Sequence, residues 1–167
     1  MCGIIAVLRR PTDRSLPDPN GFVADLQAAA AALRGGGGLL DRLTRASEHV
    51  ESVDAALRPV VGVLALRGAP AAADRIRALC AELSASVAAL EAALDAATPE
   101  EALSDLESTN AAMIRLKDAV WAIERDRLRA VDSVDLLAGD GGAAAATAMF
   151  SLHQALSALD RLEVRGR

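Results

Sequence analysis

The sequence predicts a mainly α protein, an antiparallel helical bundle that follows one short strand at the amino terminus. Three observations predict it. Apolar residues recur at spacings of three and four through most of the 167 residues, the period of a helix with one buried face. Glycine and proline clusters cut these stretches into lengths typical of bundle helices. Two phenylalanines, one tryptophan and no tyrosine are too few aromatics for a sandwich or barrel, whose strands favour them.

The elements follow in order. Ile4-Ile5-Ala6-Val7-Leu8 is a short apolar run that reads as a fully buried strand. Pro11 to Asn20 is rich in turn residues and leads out of it. A first helix is expected from about Gly21 to Arg34, ended by Gly35-Gly36-Gly37-Gly38, a flexible break. A phosphate-cradling reading of these glycines fails, because the lysine and preceding strand of such a loop are missing. Leu39 to Leu57 places Leu43, Ala46, Val50, Val53 and Leu57 on one stripe, and Pro59 interrupts it. Val60 to Leu66 is too short for periodicity to decide between strand and helix.

Pro70 suits the first turn of a helix running to about Ala97, with a stripe of Ile76, Leu79, Leu83, Val87, Leu90 and Leu94. Thr98-Pro99-Glu100-Glu101 is the clearest local signal: a cap, a proline at the first helical position and a glutamate that can reach back to the cap amide. The helix it starts is expected to reach about Leu137 and to be the longest, folded antiparallel onto residues 70–97. Gly139-Asp140-Gly141-Gly142 ends it. A last helix, about Ala143 to Leu162, carries Met149, Leu152, Leu156, Leu159 and Leu162.

A net charge of −5 with the signs interspersed disfavours nucleic acid as a partner. Two cysteines are too few for a disulfide framework and fit a reducing compartment. No run approaches the apolar length that spans a bilayer, and nothing resembles a signal peptide, so a cytoplasmic protein without membrane attachment is expected. His49 and His153 lack further ligands at metal-binding spacing, and neither a metal nor a cofactor is expected. Cys80 reads as a buried inert thiol and Trp121 as a bundle residue. Glu124-Arg125-Asp126-Arg127 and Asp160-Arg161 read as solvated helix faces.

The candidate chemistry lies at the amino terminus, Met1-Cys2-Gly3-Ile4. Removal of Met1 would leave Cys2 with a thiol nucleophile and its own α-amine as base, an amine that titrates at about pH 8. Gly3 leaves room for close approach to a substrate. At the other end stands Leu159-Asp160-Arg161-Leu162-Glu163-Val164-Arg165-Gly166. The pair, Met-Cys-Gly-Ile-Ile-Ala and Leu-x-Arg-Leu-Glu-x-Arg-Gly, resembles the class II glutamine amidotransferases, above all the glutaminase domain of the glutamine–fructose-6-phosphate aminotransferases (glucosamine-6-phosphate synthases). The resemblance covers roughly the first ten and last fifteen residues. Val164 replaces the family's tyrosine, and Arg167 stands where its next aromatic would be.

The resemblance implies an αββα amino-terminal-nucleophile domain, incomplete within these residues. Residues 1–10 would be its first strand with the nucleophile, 11–142 a helical insertion, and 143–167 its first helix. It implies glutamine as substrate, Cys2 as nucleophile and Arg165 close to it as a catalytic or site-shaping residue. The remainder of the glutaminase domain and sugar-isomerase-type acceptor domains would be partners, and a homo-oligomer is left open. The family's asparagine–glycine oxyanion pair and its clamps on the glutamine α-carboxylate and α-amine follow the Arg-Gly segment, beyond Arg167. Residues 1–167 alone are therefore expected to be inactive: a truncated product, a gene fragment or half of a split enzyme. The rival expectation is a helical interaction or scaffold protein in which Cys2 does no chemistry.

Overall fold

The computed structural model describes residues 6–8, 14–96 and 106–165, with 162–165 described by their backbone. Every regular element among them is helical: α1 (Pro19–Arg34), α2 (Leu39–Leu57), α3 (Val60–Arg67), α4 (Pro70–Asp95), α5 (Leu106–Ala122), α6 (Arg129–Ala138) and α7 (Ala143–Arg165). A π-helical segment, Ile123–Leu128, joins α5 to α6 without a break.

The amino-terminal strand is the first correction. Ala6, Val7 and Leu8 form no strand, Leu8 is 94% exposed, and no strand occurs among the described residues. A lone apolar run has no second strand to pair its amides and carbonyls, so hydrophobicity alone does not make it sheet. Ile4 and Ile5 lie outside the described residues.

Local chemistry explains most helix limits. The Asp18 carboxylate accepts from the Asn20 amide at 3.0 Å, and Pro19 takes the first position of α1, two residues before the expected start. The four-glycine break is a braced turn. Gly37 has φ 109°, a conformation glycine takes without strain. Arg42 of α2 donates to the Leu33 carbonyl at 2.9 Å and Arg45 to the Gly36 carbonyl at 3.2 Å, so α2 satisfies acceptors that the end of α1 leaves open. α3 settles the ambiguous apolar run as helix. Val60, Val61, Gly62, Val63, Ala65 and Leu66 are all buried, which a helix apolar on every side requires.

Four helices form the bundle in the ring α1, α2, α5, α4, with α3, α6 and α7 gathered against one end. Its interior is filled by Leu26, Leu43, Val50, Leu57, Ile76, Leu79, Leu83, Leu116 and Ile123. The expected α4–α5 hairpin is antiparallel, as Glu91–Lys117 near one end and Arg77–Asp132 near the other show. It is not the main partnership, however. α5 packs chiefly on α2, where Arg115 grips Glu51 at 2.5 and 2.6 Å, and α4 packs chiefly on α1, where Arg34 meets Glu82. Thr98-Pro99-Glu100-Glu101 lies outside the described residues. From Leu106 to Ala138 the helix runs as expected, save that its middle is π rather than α.

α7 begins where expected. Ala146 and Phe150 of its first two turns enter the common core, and Met149 packs partly against it. Its expected stripe is not buried: Leu152, Leu156 and Leu159 are all exposed.

Candidate functional site

Of the two expected site residues, Cys2 lies outside the described residues, and Arg165 is the last residue of α7, with its side chain outside them. The structure therefore gives no distance between them. It does build a site that the sequence reading passed over, around the π segment.

Asp54 starts it. It stands one helical turn beyond Val50, beside Val53 on the buried stripe of α2, and its side chain is 4% exposed. A carboxylate so placed needs partners. Arg58, one turn further along α2, donates through Nε at 2.9 Å and also through a second nitrogen; Arg127, from the π segment, donates through Nε at 2.8 Å. Two guanidinium groups from two elements thus close on one buried anion and tie α2 to the π segment. The Glu124-Arg125-Asp126-Arg127 run is in this respect no solvated face: Arg127 is turned into the protein.

Beside this cluster lies an open groove of about 970 Å³ between the π segment with α6 and the outer half of α7. Trp121, Arg125, Arg129, His153, Gln154 and Ser157 are among its lining residues. Trp121, expected inside the bundle, is 56% exposed here. The reason is its register. Ala119, Val120 and Ile123 take the inward positions, which leaves 121 facing out. Arg161 reaches across from α7 to Asp126 at 3.1 and 3.2 Å and closes one end of the groove.

The position of α7 is fixed from below by Arg67. Its guanidinium meets Asp135 at 3.1 Å, donates to the Gly141 carbonyl at 2.9 Å and also to the Gly139 carbonyl. Gly139, at φ 48°, makes the turn from α6. One arginine at the end of α3 thereby holds the whole α6–α7 corner.

His153 is half-buried, with Nε2 3.4 Å from the Ser157 hydroxyl. Burial, helped by the Arg129 guanidinium and opposed by Asp126, holds its pKa below the ordinary histidine value. His49, on α2, has Nδ1 3.4 Å from an Asp25 carboxylate oxygen. Cys80 is fully buried, as expected, and its thiol is pushed up to about 12, first by burial and then by the Glu124 carboxylate. Such a thiol is inert at neutral pH.

Comparison of the chain with protein families, curated proteins and solved structures finds no match. Among the described residues there is no cluster of three or more histidine, cysteine or acidic side chains that could hold a metal ion, and no helix long and apolar enough to cross a membrane.

Proposed function

We propose that residues 1–167 carry the nucleophile and the first helix of a cytoplasmic glutamine amidotransferase, with the helical bundle inserted between them. The observation that carries this reading is the pairing of Met1-Cys2-Gly3-Ile4-Ile5-Ala6 with Leu159-Asp160-Arg161-Leu162-Glu163-Val164-Arg165-Gly166, in the family's order. Two features of the fold support it. α7 continues unbroken to Arg165, so residues 159–165 of the second motif lie on one helix, in keeping with a first helix of that domain. Leu152, Leu156 and Leu159 leave an apolar face on that helix free for a further layer.

In this reading the Cys2 α-amine takes the thiol proton and the thiolate attacks the glutamine side-chain carbonyl carbon. The collapsing intermediate expels ammonia, which carries away the proton. Water then hydrolyses the thioester to glutamate and frees the thiol. The ammonia passes to a sugar-phosphate acceptor on isomerase-type domains. Oxyanion donors and clamps for the α-carboxylate and α-amine come from outside these residues. Lacking the oxyanion donors alone costs about 3 kcal/mol in the barrier.

The test is labelling by an electrophilic glutamine analogue. Residues 1–167 should be labelled weakly at Cys2. Supplying a full glutaminase-domain complement, in trans or as an extension, should raise labelling and glutamine hydrolysis together, and Cys2→Ala should abolish both. Failure of labelling in the complete assembly would sink the amidotransferase reading in favour of a helical scaffold.

A further inference from the structure

The groove beside the π segment has its own chemistry, independent of Cys2. Trp121, Arg125 and Arg129 follow one another at intervals of four residues, so they line one wall of the groove along the helix that runs through the π segment. π segments within longer helices occur often at functional sites. Most arginines among the described residues are engaged. Arg34, Arg42, Arg45, Arg58, Arg67, Arg77, Arg115, Arg127 and Arg161 each hold a carboxylate or a backbone carbonyl. Arg125 and Arg129 have no hydrogen bond or ion pair among the described residues. Asp126, the acid between them, is already taken by Arg161. Trp121 and two guanidinium groups without a partner among the described residues thus line one wall, opposite His153 and Ser157 of α7, which offer hydrogen-bonding groups of both kinds.

We propose that this groove binds a flat aromatic ligand carrying a phosphate, a nucleoside monophosphate in its simplest form, with the ring on Trp121 and the phosphate shared by Arg125 and Arg129. Guanidinium groups bind phosphate oxygens in pairs, and a tetrahedral dianion has oxygens enough for two of them. Indole stacks on a nucleobase irrespective of its sequence identity. The polar wall of α7 faces the sugar hydroxyls. Glu124 and Asp160 also border the groove and disfavour a longer polyphosphate by repulsion. The volume lies in the range of small-molecule sites.

Trp121 is the only tryptophan and there is no tyrosine, so its fluorescence reports on this groove alone. The experiment titrates residues 1–167 with adenosine 5′-monophosphate, and separately with adenosine and with inorganic phosphate. The monophosphate should quench Trp121 saturably with a dissociation constant below about 1 mM, and each part alone should bind at least about tenfold more weakly. Arg125→Ala with Arg129→Ala should weaken the monophosphate by at least about tenfold at an unchanged circular-dichroism spectrum. Arg75→Ala removes a further arginine without a described partner, away from the groove, and should leave binding as it was. Should the double variant misfold, Arg125→Gln with Arg129→Gln serves in its place. No saturable quenching up to about 10 mM would overturn the proposal, as would phosphate binding as tightly as the nucleotide, or an equal loss in Arg75→Ala.

Discussion

Asp54 and Arg127, 73 residues apart, meet at 2.8 Å inside the protein, and the pair joins the second helix of the bundle to the π turn in its longest helix. Asp54 is almost wholly enclosed, while Arg58, its second partner, is 64% exposed. The two arginines should therefore contribute unequally. Arg127→Met leaves a buried carboxylate half satisfied and should cost about 3 kcal/mol. Arg58→Met also takes bonds from the buried carboxylate, but on the side open to water that can replace them, and should cost less, about 1–2 kcal/mol. Urea denaturation of the two variants decides it, and equal losses would show that the interior contact matters no more than the exposed one.

Gly62 and Gly21 should respond to alanine in opposite directions. A Cβ on Gly62 would overlap the Ala56 carbonyl oxygen and stand 2.7 Å from the Leu57 Cα, both backbone atoms that no rotamer change can move. Gly62→Ala should destabilise by about 3 kcal/mol or more through forced displacement of α3 from α2. Gly21, in α1, meets nothing within 4 Å, and Gly21→Ala should stabilise by about 0.5–1 kcal/mol. Thermal melts of the two variants, shifted down and up respectively, are the expected result.

Arg67→Ala removes three contacts at the α6–α7 corner and leaves the Gly139 and Gly141 carbonyls to find water. A loss of about 2–3 kcal/mol is expected, with Arg67→Lys recovering only part of it, because an ammonium cannot reproduce the fork. Hydrogen exchange should quicken first in α7. Exchange that quickens evenly across all helices would argue against Arg67 as a local brace.

His153 gives stability a pH dependence of defined sign. Its pKa in the folded protein lies below its ordinary value, so the unfolded chain takes up the proton first as pH falls. Stability is therefore undiminished above the ordinary histidine range. It declines as pH drops through that range, and levels off below the folded pKa. Urea midpoints at about pH 7.5 and 5.5 should differ more for the wild type than for His153→Gln. An upward shift on acidification that depends on His153 would reverse the sign and refute the burial argument.

Cys80 should resist alkylation in the folded protein at pH 8, since its thiol titrates at about 12 behind the Glu124 carboxylate and a closed core. In a Cys2→Ala background, modification should appear only as denaturant opens the bundle. Prompt reaction under native conditions would show that the core around Ile76, Leu79 and Leu83 admits solvent.

The helices were legible because the interactions that make them are local. Leu39–Leu57 carries its own period, Pro70 marks a first turn, and Gly35 and Gly139 mark ends, all within a few residues of the backbone they govern. The sequence also settled that Cys80 would be inside. Tertiary structure decided what those helices do with one another. α5 chose α2 over its neighbour in sequence, because a four-helix ring buries two faces of each helix and the hairpin alone would bury one. Asp54 was hidden among alternating charges, and only the approach of Arg127 through the π turn made its burial tolerable. The register that turns Ala119, Val120 and Ile123 inward left Trp121 outside, ahead of Arg125 and Arg129 along the same groove wall. Periodicity fixes which face of a helix is apolar; which polar groups are enclosed depends on residues far away in the chain, and that is decided only when the helices meet.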